Sequence, residues 1–143
     1  MRENPVAADQ IVLSLELAAE RCEDLTPLVY ERLFRERPET RALFRTEGST
    51  LVKGSMLELA LDAVLDFAGE RKAAHRMIFC EVQSHAAYGT SPELFNVFFA
   101  VIADTVRELI GAGWTAEIDR AWRVLLDELD RYVKDAVQAA NIA

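Results

Sequence analysis

The chain has 143 residues, of which 51% are hydrophobic, with 6 Gly and 4 Pro. This length predicts one domain over residues 1–143, and the composition excludes a disordered chain. The formal net charge of -8 argues against nucleic acid and against an anionic membrane surface as partners. Cys22 and Cys80 lack metal-ligand spacing, and the N-terminus lacks a signal-peptide pattern, which together predict a reduced, cytoplasmic location.

Apolar residues recur at three- and four-residue spacing almost throughout, which predicts an all-helical chain. The Thr26 hydroxyl is expected to cap the second helix, with Pro27 in its first turn. Gly111 and Gly113 are expected to separate the last two helices. In chain order, helices are predicted over 9–22, from 26 onward, and over 38–44, 50–67, 72–88, 92–110 and 115–138, with a loop near 45–50.

One face of each early helix carries the predicted core, because these residues share a helix face. His75 is expected to be exposed and Cys80 to be a small core residue. The core candidates are Ile11, Leu15, Ala18, Val29, Tyr30, Leu33, Phe34, Leu57, Leu61, Val64 and Leu65.

His85 stands out among the two histidines of the chain by its surroundings. A histidine in an acidic helical protein is usually structural or exposed. His85, however, shares a helix face with Val82, and its predicted helix ends shortly afterwards at Gly89. A histidine near a helix end that faces an aromatic wall suits a flat apolar cofactor with an iron centre. The wall is predicted from the start of the next helix, with Leu94, Phe95, Phe98 and Phe99.

Three segments of the sequence resemble the globin family. Residues 83–92 (QSHAAYGTSP) are similar to its proximal-histidine helix and the following corner. Residues 30–44 (YERLFRERPETRALF) resemble bacterial globins and flavohaemoglobins, and Ala121 and Trp122 match an Ala-Trp pair in the last globin helix. The resemblance implies the globin fold, a 3-over-3 helical sandwich around a haem pocket. Its landmarks, in family-like order, are Tyr30, Pro38, Phe44, His85, Pro92 and Trp122.

This resemblance implies a role for each matching residue around haem b (iron protoporphyrin IX). His85 would be the proximal iron ligand, and Ser84 could accept a hydrogen bond from its other ring nitrogen. Tyr30 would lie on the distal side and offer its hydroxyl to bound dioxygen, with Leu57 as an apolar gate. Phe44 would stack on the haem. The remaining implied cofactor contacts are Lys53, Val82, Tyr88, Phe95, Phe98 and Phe99.

The same residues also have structural interpretations. Taken in isolation, Phe44 and the Phe95–Phe99 cluster favour an ordinary core, and a buried Tyr30 can satisfy its hydroxyl on a backbone carbonyl. Lys53 stands where the family has a distal glutamine or histidine. It is expected to reach solvent or a haem propionate, with a distal donor role or iron ligation as the alternatives.

Two further positions depart from the family on the proximal side. Phe95 replaces a tyrosine of flavohaemoglobins, which predicts a weaker electron push onto iron. Glu81 lies one turn before His85, where an apolar residue is usual, and we expect its carboxylate to turn outward while Val82 supplies the apolar contact.

The function implied is reversible binding of dioxygen or another diatomic gas (O2, NO or CO), for storage, delivery or detoxification. A nitric-oxide dioxygenase-type activity would need electrons from a separate reductase. The alternative is a globin-like regulatory or sensor module, with or without haem, that acts through protein contacts. Either a monomer or a homodimer is compatible with the sequence.

Overall fold

The computed structural model describes residues 5–44, 50–68 and 92–142. Every regular element within these ranges is helical, which confirms the predicted fold class. The predicted helix over 72–88 lies outside the described residues, as do residues 45–49 of the predicted loop. The elements are α1 (Pro5–Arg21), α2 (Thr26–Glu36), a 3-10 helix (Pro38–Phe44), α3 (Thr50–Ala68), α4 (Pro92–Ile110), a 3-10 turn (Gly111–Gly113) and α5 (Ala116–Ile142).

The three helices α1, α4 and α5 contact one another and enclose most of the core, while α2 packs against α3 and α4. Leu65 was predicted to lie in the core, and this prediction is wrong, since the residue is 39% exposed. Its neighbours Ala63 and Val64 are buried, and the 100° turn per residue carries Leu65 away from the face they share. No helix in the described ranges combines the length and apolarity needed to cross a bilayer.

The start of α2 differs from the prediction in its capping. Thr26 is inside the helix, and its hydroxyl donates to Asp24 Oδ1 at 2.7 Å instead of capping backbone amides. The same oxygen accepts the Thr26 amide at 3.0 Å. The Thr26 hydroxyl and amide together lower the pKa of the Asp24 carboxyl. Asp24 therefore takes the role expected of Thr26, because a carboxylate two residues earlier is the stronger acceptor.

The turn between α4 and α5 follows the sequence prediction. Gly111 has φ of +52°, a left-handed conformation that glycine adopts without steric cost. The Thr115 hydroxyl accepts the Ile118 amide at 3.2 Å and so caps α5. These two residues fix where α4 stops and where α5 begins.

Arg32 connects α2 to α4. Its guanidinium pairs with Glu108 on α4 and with Glu36 one turn further along α2, the second contact being 3.3 Å. The Arg32 side chain is only 15% exposed, whereas the side chains of Glu36 and Glu108 are 42% and 74% exposed. This pairing helps to hold the α2 face that carries Tyr30 in register with α4.

A buried polar pair joins α1 to α5. Trp122 Nε1 donates to Ser14 Oγ at 2.9 Å, and Ser14 Oγ donates to the Ile11 carbonyl at 2.7 Å. Both Ser14 and Trp122 have at most 1% of their surface exposed. The indole also stacks on Trp114, with 6.4 Å between ring centroids. Ser14 therefore satisfies a buried donor that has no access to water.

We expect Ser14→Ala to lower the free energy of unfolding by about 1–3 kcal/mol, because it leaves the Trp122 N–H buried without its acceptor. Thr105→Val is the matched control. The Thr105 hydroxyl is also buried, but it donates only to the Val101 carbonyl, one turn earlier in the same helix, at 2.8 Å. Urea unfolding measures both variants. Equal losses in the two variants would contradict a special role for the Ser14–Trp122 bond.

Candidate functional site

One side of α2 borders a cavity of about 690 Å³. The helical period brings residues three, four and seven positions apart to one face, and Pro27, Tyr30, Glu31 and Phe34 have this spacing. The volume lies within the range of small-molecule and cofactor sites. The described residues that line it are Asp24, Thr26, Pro27, Tyr30, Glu31, Phe34, Arg35 and Arg41.

Tyr30 is held between two phenylalanine rings. Its ring centroid lies 5.9 Å from that of Phe34 on the same helix and 5.7 Å from that of Phe98 on α4. Both ring pairs are tilted, at 48° and 49°, a favourable arrangement for aromatic side chains. Only 3% of the Tyr30 surface is exposed. The ring therefore has little freedom to swing out of the cavity wall.

Burial raises the pKa of the Tyr30 phenol above its ordinary value. The ionised form would lose its hydration in this apolar surrounding, so the neutral form is favoured. Near neutral pH the Tyr30 side chain therefore keeps its proton.

The α3 helix approaches α2 closely beside the cavity. A Cβ atom added to Gly54 would lie 4.0 Å from the Thr26 hydroxyl oxygen, an ordinary van der Waals distance, so the two helices are neighbours here. One turn further along α3, Leu57 is buried with 3% of its surface exposed. The contact between α2 and α3 places Leu57 in the same core cluster as Tyr30.

The sequence-predicted site residues divide into three groups. Tyr30, Leu57 and Phe99 are buried in one cluster, with Phe98 partly buried against it. The side chains of Phe44, Lys53 and Phe95 lie outside the described residues, so their roles stay predictions. The same holds for four residues of the predicted proximal helix, Val82, Ser84, His85 and Tyr88, and for Glu81.

Sequence reasoning missed two features of the cavity wall. Phe34 was expected only in the core, yet it lies against Tyr30 and borders the cavity. Its position four residues after Tyr30 was the available signal, because such pairs meet on a helix. The arginines at 35 and 41 gave no comparable signal, since isolated arginines are usually solvated.

The described half of the site is compatible with a haem group. The Tyr30 and Phe34 rings border the cavity and offer contact to a flat apolar body, and Leu57 is buried in the same core cluster. Within the described ranges no three His, Cys, Asp or Glu side chains come together to hold a metal ion. Both histidines of the chain fall between residues 69 and 91. A histidine ligand to iron would therefore have to come from that segment.

Comparison with protein families gives a match to the Globin model over residues 28–132. The match runs from the first turn of α2 into α5, and so includes Tyr30 and Phe34 of the cavity wall and the predicted proximal histidine. A search of solved structures finds no match. Because the matched region covers well over half of the sequence, the chain belongs to the globin family.

Proposed function

We propose that this globin binds haem b through His85 and reversibly binds dioxygen or another diatomic gas beside Tyr30. Membership of the globin family indicates haem-based gas binding in general. The observation that carries the more specific proposal is the buried Tyr30 phenol, which borders the cavity beside Phe34 and packs against Phe98. When bound, haem supplies the iron coordination position at which a diatomic gas is held.

The protein's own side chains set the polarity of the gas-binding side. Tyr30 donates a hydrogen bond to the partly negative outer atom of dioxygen, which slows its release. Phe34 and Phe98 keep the phenol in place, and Leu57 is buried in the same core cluster. Lys53 directly precedes Gly54 in the sequence of α3. We propose that its ammonium group reaches solvent or a haem propionate.

The physiological role within this proposal is storage, delivery or detoxification of the gas. Detoxification of nitric oxide would consume electrons, which a separate reductase would have to supply. We expect the protein to act in the cytoplasm as a monomer or a homodimer.

We expect the reduced, haem-loaded protein to bind dioxygen reversibly. Alternating equilibration with dioxygen and argon should interconvert two absorption spectra through shared isosbestic points over several cycles. Carbon monoxide serves as a second probe, because it binds ferrous haem without oxidising it. Immediate and irreversible oxidation by dioxygen, with normal carbon monoxide binding, would contradict storage or delivery and leave a redox role as the better proposal.

A further inference from the structure

Two arginines line the cavity next to the Phe34 ring. The Arg41 guanidinium carbon lies 4.9 Å from the centroid of that ring, and Arg35 borders the same space. Neither arginine makes an ion pair with any residue in the described part of the chain, although Arg32 and Arg37 both do. Arg35 and Arg41, here called the arginine rim, therefore present two cations without a carboxylate partner among those residues.

The arginine rim has the chemistry of a site that binds a carboxylate. A guanidinium group offers a planar fork of N–H donors that matches the two oxygens of a carboxylate. The contact with Phe34 holds the Arg41 group in a defined position, so less freedom is lost when a ligand binds. The adjacent rings of Tyr30 and Phe34 provide contact for an apolar body attached to that carboxylate.

Two acidic side chains also border the cavity, Asp24 and Glu31. The Asp24 carboxylate already accepts two hydrogen bonds from Thr26. Thr26 and Arg35 are nine residues apart on α2, roughly 13 Å along the helix axis. Glu31 lies between them, one turn before Arg35. Arg35 and Arg41 therefore make one end of the cavity more basic than the end at Asp24, which orients a ligand that carries its charge on one side.

We propose that the arginine rim binds a carboxylate carried on a flat apolar body. Two sources share this chemistry, namely a propionate of the haem itself and a free aromatic carboxylate. The first source rests on the proposed haem function, whereas the second does not require haem. Two experimental arms separate them, and Arg37→Gln is the control in both. Arg37→Gln removes the same charge, but Arg37 is paired with Glu39 at 3.2 Å and does not line the cavity.

The first arm compares haem with its dimethyl ester, in which both propionates are blocked. We measure transfer of each to an excess of a haem-scavenging apoprotein. Arg41→Gln and Arg35→Gln should each speed the loss of haem about tenfold, the effect of removing one charge-assisted hydrogen bond. Neither variant should change the loss of the dimethyl ester, and Arg37→Gln should match the wild type with both. Thermal unfolding of each variant checks that the fold is intact.

The second arm titrates benzoate into the haem-free protein by calorimetry. Saturable binding that weakens about tenfold in Arg41→Gln, but not in Arg37→Gln, assigns the site to free aromatic carboxylates. If neither arm separates the rim variants from Arg37→Gln, the proposal is overturned. It is also overturned if haem and its ester are lost equally faster from the rim variants and benzoate does not bind. If the wild type takes up no haem, the proposed function fails. The benzoate titration alone then decides whether the arginine rim binds a carboxylate.

Discussion

Tyr30→Phe should speed the dissociation of dioxygen from the haem-loaded protein by about 10- to 100-fold, the effect of removing a hydrogen bond to a partly charged group. The substitution deletes one oxygen atom. The ring contacts with Phe34 and Phe98, at 5.9 and 5.7 Å, do not depend on that atom. The effect should therefore appear in the rate of release and leave the packing of the cavity wall unchanged. Stopped-flow displacement of dioxygen measures it.

Tyr132→Phe is the matched control for this experiment. Tyr132 is a partly buried tyrosine on α5 and is not part of the cavity wall. Burial, with a contribution from Asp135, raises the pKa of its phenol as well, so the control loses a hydroxyl of similar character. A dissociation rate in Tyr30→Phe equal to that of Tyr132→Phe would mean that the Tyr30 hydroxyl does not reach the bound gas.

Local sequence signals predicted much of the helical framework. Pro38 and Pro92 each begin a helix at the predicted residue, because proline is favoured in a first turn. The helix boundaries that were predicted wrongly lie near the two ends of the chain. The first helix starts at Pro5, four residues before the predicted start at residue 9, and α5 runs to Ile142, four residues beyond the predicted 138. No glycine or proline follows residue 138 to stop it.

Contacts between distant segments escaped prediction. The Trp122 indole is bonded to Ser14, 108 positions earlier in the sequence, and a serine inside an apolar helix face was the only hint. Phe98 was predicted to line the pocket, but its contact with Tyr30 depends on how α2 crosses α4. Helix spacing defines which residues share a face, whereas packing decides which faces meet. The cavity wall therefore required the tertiary structure.

His85→Ala is the second change for which we expect a large effect, namely the loss of specific haem binding. A neutral imidazole is the usual nitrogen ligand of haem iron in globins, and alanine offers no substitute. His75→Ala is the matched control, because His75 is the other histidine of the chain. His75 is expected at an exposed position near the start of the predicted helix over 72–88.

The most direct measurement is a titration of the haem-free protein with less than one equivalent of haem, followed by absorption in the Soret region. We expect an intense Soret band in the wild type and in His75→Ala, and only the spectrum of free haem in His85→Ala. An unchanged band in His85→Ala would contradict ligation through that residue. A wild-type protein that gives no Soret band even with excess haem would contradict haem binding itself.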